Sequence, residues 1–250
     1  MSNPLKIENL KITYQNDKKI LTAVKDVSFN VKENEFLCLI GPSGCGKTTI
    51  LNAIAGFIKP SEGKLLLNGI NITKPTKKIG MIFQNHALFP WKTVKENIEL
   101  GPKINGISKK ETGRITSHYL ELTGLTKFKD YYPHELSEGM RQRVAIVRTL
   151  ANNPEIILMD EPFGSLDAQL RVKMQEQLLK IWQLHRKSIV FVTHDIDEAL
   201  LLSDRILVMT KNPGKIRKEI INELPRKRSY ELTTESKYIK LKKKIIGLLK

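Results

Sequence analysis

The stretch GPSGCGKTT, residues 41–49, constrains this chain more than any other, because of what flanks it. Before it runs FLCLI (36–40), an unbroken apolar segment of the kind that forms a fully buried strand. After it comes TILNAIAGF, which reads as a helix. The spacing fits G-x-x-x-x-G-K-[ST] in the strand–loop–helix context that gives the pattern its meaning. Gly41, Gly44 and Gly46 allow backbone geometries that a side chain would block. The loop Gly41, Pro42, Ser43, Gly44, Cys45, Gly46 to Thr49 can then wrap a phosphate, with the amides of its non-proline residues converging on it. The following helix adds its positive end. Lys47 can set an ammonium on the outer phosphates, and the Thr48 hydroxyl can ligate Mg²⁺. This is the sequence of a nucleoside triphosphate site.

Transfer of a phosphoryl group needs a metal, a positioned water and fixed positive dipoles. IILMDEP (156–162) ends an apolar strand with two carboxylates, at the sheet edge where such folds bind ligands. Asp160 is suited to hold Mg²⁺, and Glu161 to polarise the attacking water. FVTHD (191–195) ends a further apolar strand with His194, expected at the same edge and against the γ-phosphate. Gln84 closes KIGMIFQ, where its amide can reach Mg²⁺ or the water.

FLCLI, IILMD, SIVFV (188–192) and RILVM (205–209) alternate with helical patterns, which implies a mostly parallel sheet covered by helices. The opening segment to about Phe29 alternates instead, as in a half-exposed antiparallel sheet. The expected organisation is an α/β nucleotide-binding core (1–84, including the antiparallel β subdomain), an inserted α-helical subdomain (85–153), the second part of the core (154–225) and a basic helical tail (226–250). In the tail, Tyr238, Leu241, Ile245 and Leu248 recur at helical spacing. Thr93, Ser108 and Asp195 each precede a glutamate by three positions, so each is expected to open a helix with a reciprocal cap. Cys38 and Cys45 form neither a metal-ligand nor a disulfide pattern and read as small residues.

One further stretch, LSEGMRQRVAIVRTLA (136–151), opens a basic helix on a Ser-Glu-Gly turn. Free amides and the helix dipole attract anions at such a start. Together with GPSGCGKTT, Gln84, IILMDEP, SLD (165–167) and THD (193–195), in that family's order, it makes the chain resemble the ATP-binding subunit of an ABC transporter. The resemblance covers residues 1 to about 225 and implies a RecA-like P-loop NTPase core, with ATP and Mg²⁺ as cofactors. By the same resemblance Tyr14 matches the aromatic that stacks on adenine. Two copies are implied to face each other head to tail. Each ATP then lies between one P-loop and the other copy's Ser137, Glu138, Gly139 and Asp167. Glu138 stands where the family usually has glycine. A carboxylate aimed at the partner's phosphate would compete with it, so Glu138 is expected to face outward, with a basic side chain as one candidate partner and its backbone amide still free for phosphate.

No apolar run approaches the roughly 18 residues of a membrane span, so permease subunits are implied to be separate chains. MSNPLKIENL lacks a charged-then-apolar leader, which makes the cytosolic face of the membrane the expected location. Phe89, Pro90 and Trp91 occupy the region that meets the permease in the family. ALFPWKTVKENIELG, the methionine at 140 and a Leu-Pro-Arg tail resemble importer ATPases of the nitrate/sulfonate/taurine group. That group works with an extracellular solute-binding protein. Two alternatives remain: the ATPase of an export or lipoprotein-release complex, and a soluble ABC ATPase acting on nucleic acid. The net charge of +16, with thirteen Lys/Arg against four Asp/Glu in residues 211–250, favours the latter. Such proteins usually carry a long insertion or two cassettes, whereas Lys47 and Ser137 are 90 residues apart and there is one cassette. No specific nucleic-acid partner is therefore expected.

Overall fold

A computed structural model of the chain describes residues 3–16, 19–226, 228 and 230–250. Two sheets form its frame. In the first, β1 (Leu5–Asn16) pairs antiparallel with β2 (Lys19–Val31) and with β4 (Glu62–Leu67), and a short β5 (Ile70–Asn71) closes the edge. Its inward positions, among them Leu5, Ile7, Leu10, Val24 and Val27, are fully buried, whereas alternate residues meet solvent. Period-two patterning requires that division.

The second sheet has the order β10-β9-β3-β8-β7-β6. Its parallel strands are β3 (Phe36–Ile40), β6 (Ile79–Ile82), β7 (Ile156–Asp160), β8 (Ser188–Thr193) and β9 (Arg205–Thr210). Antiparallel β10 (Lys215–Ile221) ends the sheet beside β9. Every residue of β3 and β8 is buried. That is why those segments carry no polar alternation: both faces are covered. The chain is an α/β protein of the expected P-loop class, with an antiparallel sheet at its N-terminal side.

Helix α1 (Lys47–Ile54) follows the glycine-rich loop. Between β6 and β7 the chain builds α2 (Val94–Ile104), α3 (Lys109–Leu122) and α4 (Glu138–Ala151). Helix α5 (Ala168–His185) connects β7 to β8, and α6 (Ile196–Leu202) connects β8 to β9. The C-terminal α7 (Ser236–Leu249) buries Tyr238 and Ile245, with Leu241 and Leu248 packed beside them. Helix α6 receives it through polar contacts as well. The Tyr238 hydroxyl donates to Asp197 Oδ1 at 2.6 Å, and Lys242 Nζ lies 2.7 Å from the same atom.

Of the three expected caps, only Thr93 forms a complete reciprocal box with Glu96. Ser108 accepts from the Glu111 amide, but the Glu111 carboxylate turns instead to Arg114 at i+3. Asp195 accepts from the amides of Asp197 and Glu198. Glu198 is itself buried, where Thr193 and Gln175 donate to it. Other donors hold the glutamate in both failures: an arginine for Glu111, a hydroxyl and a side-chain amide for Glu198.

Candidate functional site

Residues 41–46 wrap tightly ahead of α1. Gly46 takes a φ of 92°, and a Cβ there would lie 2.6 Å from Val24 Cγ2 on β2. A Cβ on Gly41 would meet the buried Cys45 Sγ at 2.7 Å. The loop is therefore pinned between the two sheets, and glycine is required at both positions. Lys47 is buried, and its ammonium donates to the carbonyls of Gly41 (2.8 Å) and Pro42 (3.2 Å). These contacts hold a positive charge inside the loop, where backbone amides also gather.

A cleft of about 330 Å³ opens in front of this loop, lined by Tyr14, Leu21, Ser43, Lys47, Thr48, Thr49 and Glu161 among others. Tyr14 and Leu21 are directly opposite in the β1–β2 ladder, and both stay substantially exposed. They make an apolar ledge at one end of the cleft, fit for a planar ring. Sequence reading singled out Tyr14 and missed Leu21, whose signal was its place one cross-strand register away.

At the other end the strand termini converge. The Thr48 hydroxyl donates to Asp160 Oδ1 at 3.0 Å. Burial raises the Asp160 pKa, the neighbouring Glu161 charge adds to this, and the Thr48 hydrogen bond opposes it. A carboxylate in that position gains from a cation. Glu161 sits at a φ of 44°, a conformation uncommon for a side-chain-bearing residue, with its amide donating to Val192 O at 3.0 Å. The turn aims its carboxylate across the sheet edge, where Oε2 is 3.0 Å from His194 Nδ1. A Cβ on Gly164 would lie 3.4 Å from both Gln84 Nε2 and Glu161 O, so Gln84 reaches the same corner. A hard cation with oxygen ligands and a triphosphate both fit this donor set.

The second group of expected residues gathers elsewhere, around the start of α4. Ser137 caps the helix by accepting from the Met140 amide. Asp167 caps α5, accepting from the Leu170 amide at 2.9 Å. A Cβ on Gly139 would come within 2.8 Å of Leu170 Cδ1, so the two helix starts touch. None of these residues lines the cleft of Tyr14 and Lys47. The Glu138 side chain turns to a basic partner on its own helix, Arg141. Its carboxylate folds onto its own chain, accepting from Arg141 (2.5 and 3.1 Å) and Ser165 (2.9 Å) and lying 2.7 Å from His86 Nε2. The Arg141 guanidinium, with His86 and Ser165 in support, lowers its pKa to about 2. His86, Arg141 and Ser165 were invisible as partners because each is remote from Glu138 in sequence or looks like an ordinary helix pair.

Fold and site together define an ATP-hydrolysing P-loop cassette. A family model described as ABC transporter matches residues 24–164. The taurine import ATP-binding protein TauB of Roseobacter denitrificans is 48% identical over 216 residues, 86% of this chain and 81% of that protein. The nitrate import ATP-binding protein NrtD of Synechocystis is 41% identical over 252 residues, covering 98% and 95%. Among solved structures, the ATP-binding cassette MJ0796, a dimer in a post-hydrolysis state bound to ADP and Pi, superposes with a TM-score of 0.76. It is 36% identical, with 88% of this chain and all of that chain covered. The chain belongs to the ABC transporter family, as one of its ATP-binding, ATP-hydrolysing subunits.

Proposed function

We propose that the chain powers uptake of a small oxyanion through separate permease subunits, bound to the cytoplasmic face of the membrane. The observation that carries the hydrolytic part is the convergence of Lys47, Thr48, Asp160, Glu161 and His194 on one edge of the parallel sheet. Tyr14 stacks on adenine, and the amides from Gly41 to Thr49 enclose the phosphates with Lys47 between the outer two. Thr48, Asp160 and Gln84 would hold Mg²⁺, which neutralises charge on the phosphate oxygens when bound. Glu161 polarises the attacking water. The oxygen of that water bonds to the γ-phosphorus as the bridge to the β-phosphate breaks, releasing ADP and inorganic phosphate. His194, fixed by Glu161, contacts the γ-phosphate as charge builds on it.

The site of one chain is incomplete, because Ser137, Gly139 and Asp167 carry anion-binding helix starts that face away from it. Two copies arranged head to tail would bring the amides at Ser137, Glu138 and Gly139, and the Asp167 turn, onto the partner's ATP. The dimeric state of the MJ0796 cassette supports that arrangement. Import of an oxyanion rests on the likeness to taurine and nitrate import proteins, and implies an extracellular solute-binding protein. Phe89 and Trp91 form an edge-to-face pair, with Trp91 largely exposed, which suits contact with a permease.

Glu161→Gln should retain ATP binding while turnover falls by about 10²-fold or more, as measured by phosphate release. Unchanged turnover would remove Glu161 from its role. Capture of permease subunits from detergent-solubilised membranes, followed by uptake of nitrate, taurine and alkyl sulfonates in a deletion strain, tests the transport reading. Normal uptake of all three, with a lost export activity, would replace it.

A further inference from the structure

The side chain of Glu138 joins three segments that the chemistry uses separately. Oε1 takes the Ser165 hydroxyl at 2.9 Å and lies 2.7 Å from His86 Nε2, while Oε2 is held by Arg141. Ser165 stands two residues before Asp167, and His86 two residues after Gln84. His86 is buried and sits at a φ of 55°, with Ala87 at 47°, so its turn is tightly specified. Arg148, also on α4, donates to the carbonyls of His86 (3.2 Å) and Ala87 (2.7 Å) from further along the helix. The Gln84 segment is thus fastened to α4 at two points ten residues apart, and Glu138 also takes the Ser165 hydroxyl beside the Asp167 turn.

We propose that Glu138 is a positioning residue: through His86 and Ser165 its carboxylate sets the start of α4 relative to the Gln84 segment and the Asp167 turn. One chain's own nucleotide site thereby governs how well that chain closes on its partner's. The physical argument is rigidity. Gln84 belongs to the chain's own cleft, whereas Ser137, Gly139 and Asp167 face the other copy. Along the chain Gln84 is 53 residues from Ser137 and Ser137 is 30 residues from Asp167, so the backbone alone leaves slack between them. A carboxylate with three donors on three segments removes that slack, and its charge strengthens each bond. A glycine at 138, which the family usually has, could not make this tie. The inference rests on the head-to-tail dimer proposed above and adds to it a residue for communication between the two sites.

The test uses the full chain in a Glu161→Gln background, where ATP would hold dimers long enough to measure by sedimentation. Glu138→Ala should weaken ATP-driven dimerisation by about tenfold, a change typical of coupling between sites. Its affinity for a fluorescent ATP analogue, measured on dilute monomer, should stay within about twofold. Glu138→Gln, which keeps an acceptor for His86 and Ser165 but loses the ion pair with Arg141, should recover most of the dimerisation. A purely structural role would not separate these two readouts. Ser165→Ala, which removes one exposed hydroxyl, should weaken dimerisation by about threefold alone and add nothing to Glu138→Ala, as expected for partners in one network. Dimerisation by Glu138→Ala equal to the parent, or multiplying losses in the double variant, would overturn the proposal. Should the Glu161→Gln parent itself fail to dimerise with ATP, the head-to-tail reading falls and takes this one with it.

Discussion

At Gly139 the need for glycine has two sources. The residue stands in the first turn of α4, proposed above to meet the partner's phosphate, and its missing Cβ lets Leu170 of α5 approach to van der Waals contact. Gly139→Ala should therefore lower ATPase turnover several-fold by prying the two helix starts apart, though Leu170 can move aside. Gly139→Asp adds a negative charge where phosphate is to bind and should nearly abolish turnover. Phosphate-release assays on both variants separate the steric from the electrostatic part. Glu138 supplies a pH prediction. Its folded pKa of about 2 lies below the ordinary carboxylate value of 4.5, so its ion pair and hydrogen bonds stabilise the fold fully above about pH 5. The contribution declines as pH falls from there toward 2, where both states are protonated. In urea titrations, the stability advantage of the wild type over Glu138→Gln should accordingly shrink between pH 6 and pH 3. An advantage that grows on acidification would mean the carboxylate is not held as described.

Elements show what periodic patterning can and cannot reveal. The buried strands β3, β7, β8 and β9 were legible because a strand covered on both faces has a continuous apolar run, with polar residues only at its ends. Helix α7 was legible too, since Tyr238, Leu241, Ile245 and Leu248 lie on one face. Its docking partner was not. Asp197, which receives Tyr238 and Lys242, looked in sequence like one acid in a capping motif. Burial and the hydrogen bond to Asp197 raise the Tyr238 pKa well above the usual tyrosine range. Deleting residues 226–250 would uncover the apolar surface beneath Tyr238 and Ile245 and leave Asp197 without its cation. The truncated chain should melt several degrees lower by differential scanning calorimetry, for a loss of about 3–6 kcal/mol from two large buried side chains.

At the scale of the whole molecule, the two sheets are joined by a buried ion pair. Arg205 at the start of β9 meets Glu35 in a bidentate pair at 2.7 and 3.0 Å, donates to Asn30 O on β2, and reaches Glu219 on β10. Removing one partner strands the other in a place from which water is excluded. Arg205→Ala should cost about 3–5 kcal/mol in urea unfolding. The paired change Glu35→Met with Arg205→Met should cost far less, because no lone charge is left. Through Asn30 O the same guanidinium also ties β9 to β2 of the antiparallel sheet.

The sequence by itself determined the class of fold and which own-chain candidate residues meet at one sheet edge. Strand, glycine loop and lysine lie within about ten residues, so local geometry settles their meaning without any distant contact. Asp160, Glu161 and His194 follow from strand ends, which a parallel sheet must bring to one edge. Tertiary structure alone decided where Glu138 points. Its partners are 52 and 27 residues away in the chain, and a carboxylate chooses among donors by which of them folding brings within 3 Å. The same holds for Leu21 beside Tyr14, Glu198 beneath β8 and Asp197 beneath α7. Short-range patterns survive in one dimension because they repeat. A polar side chain's choice of partner is made once, in three dimensions, after the backbone is in place.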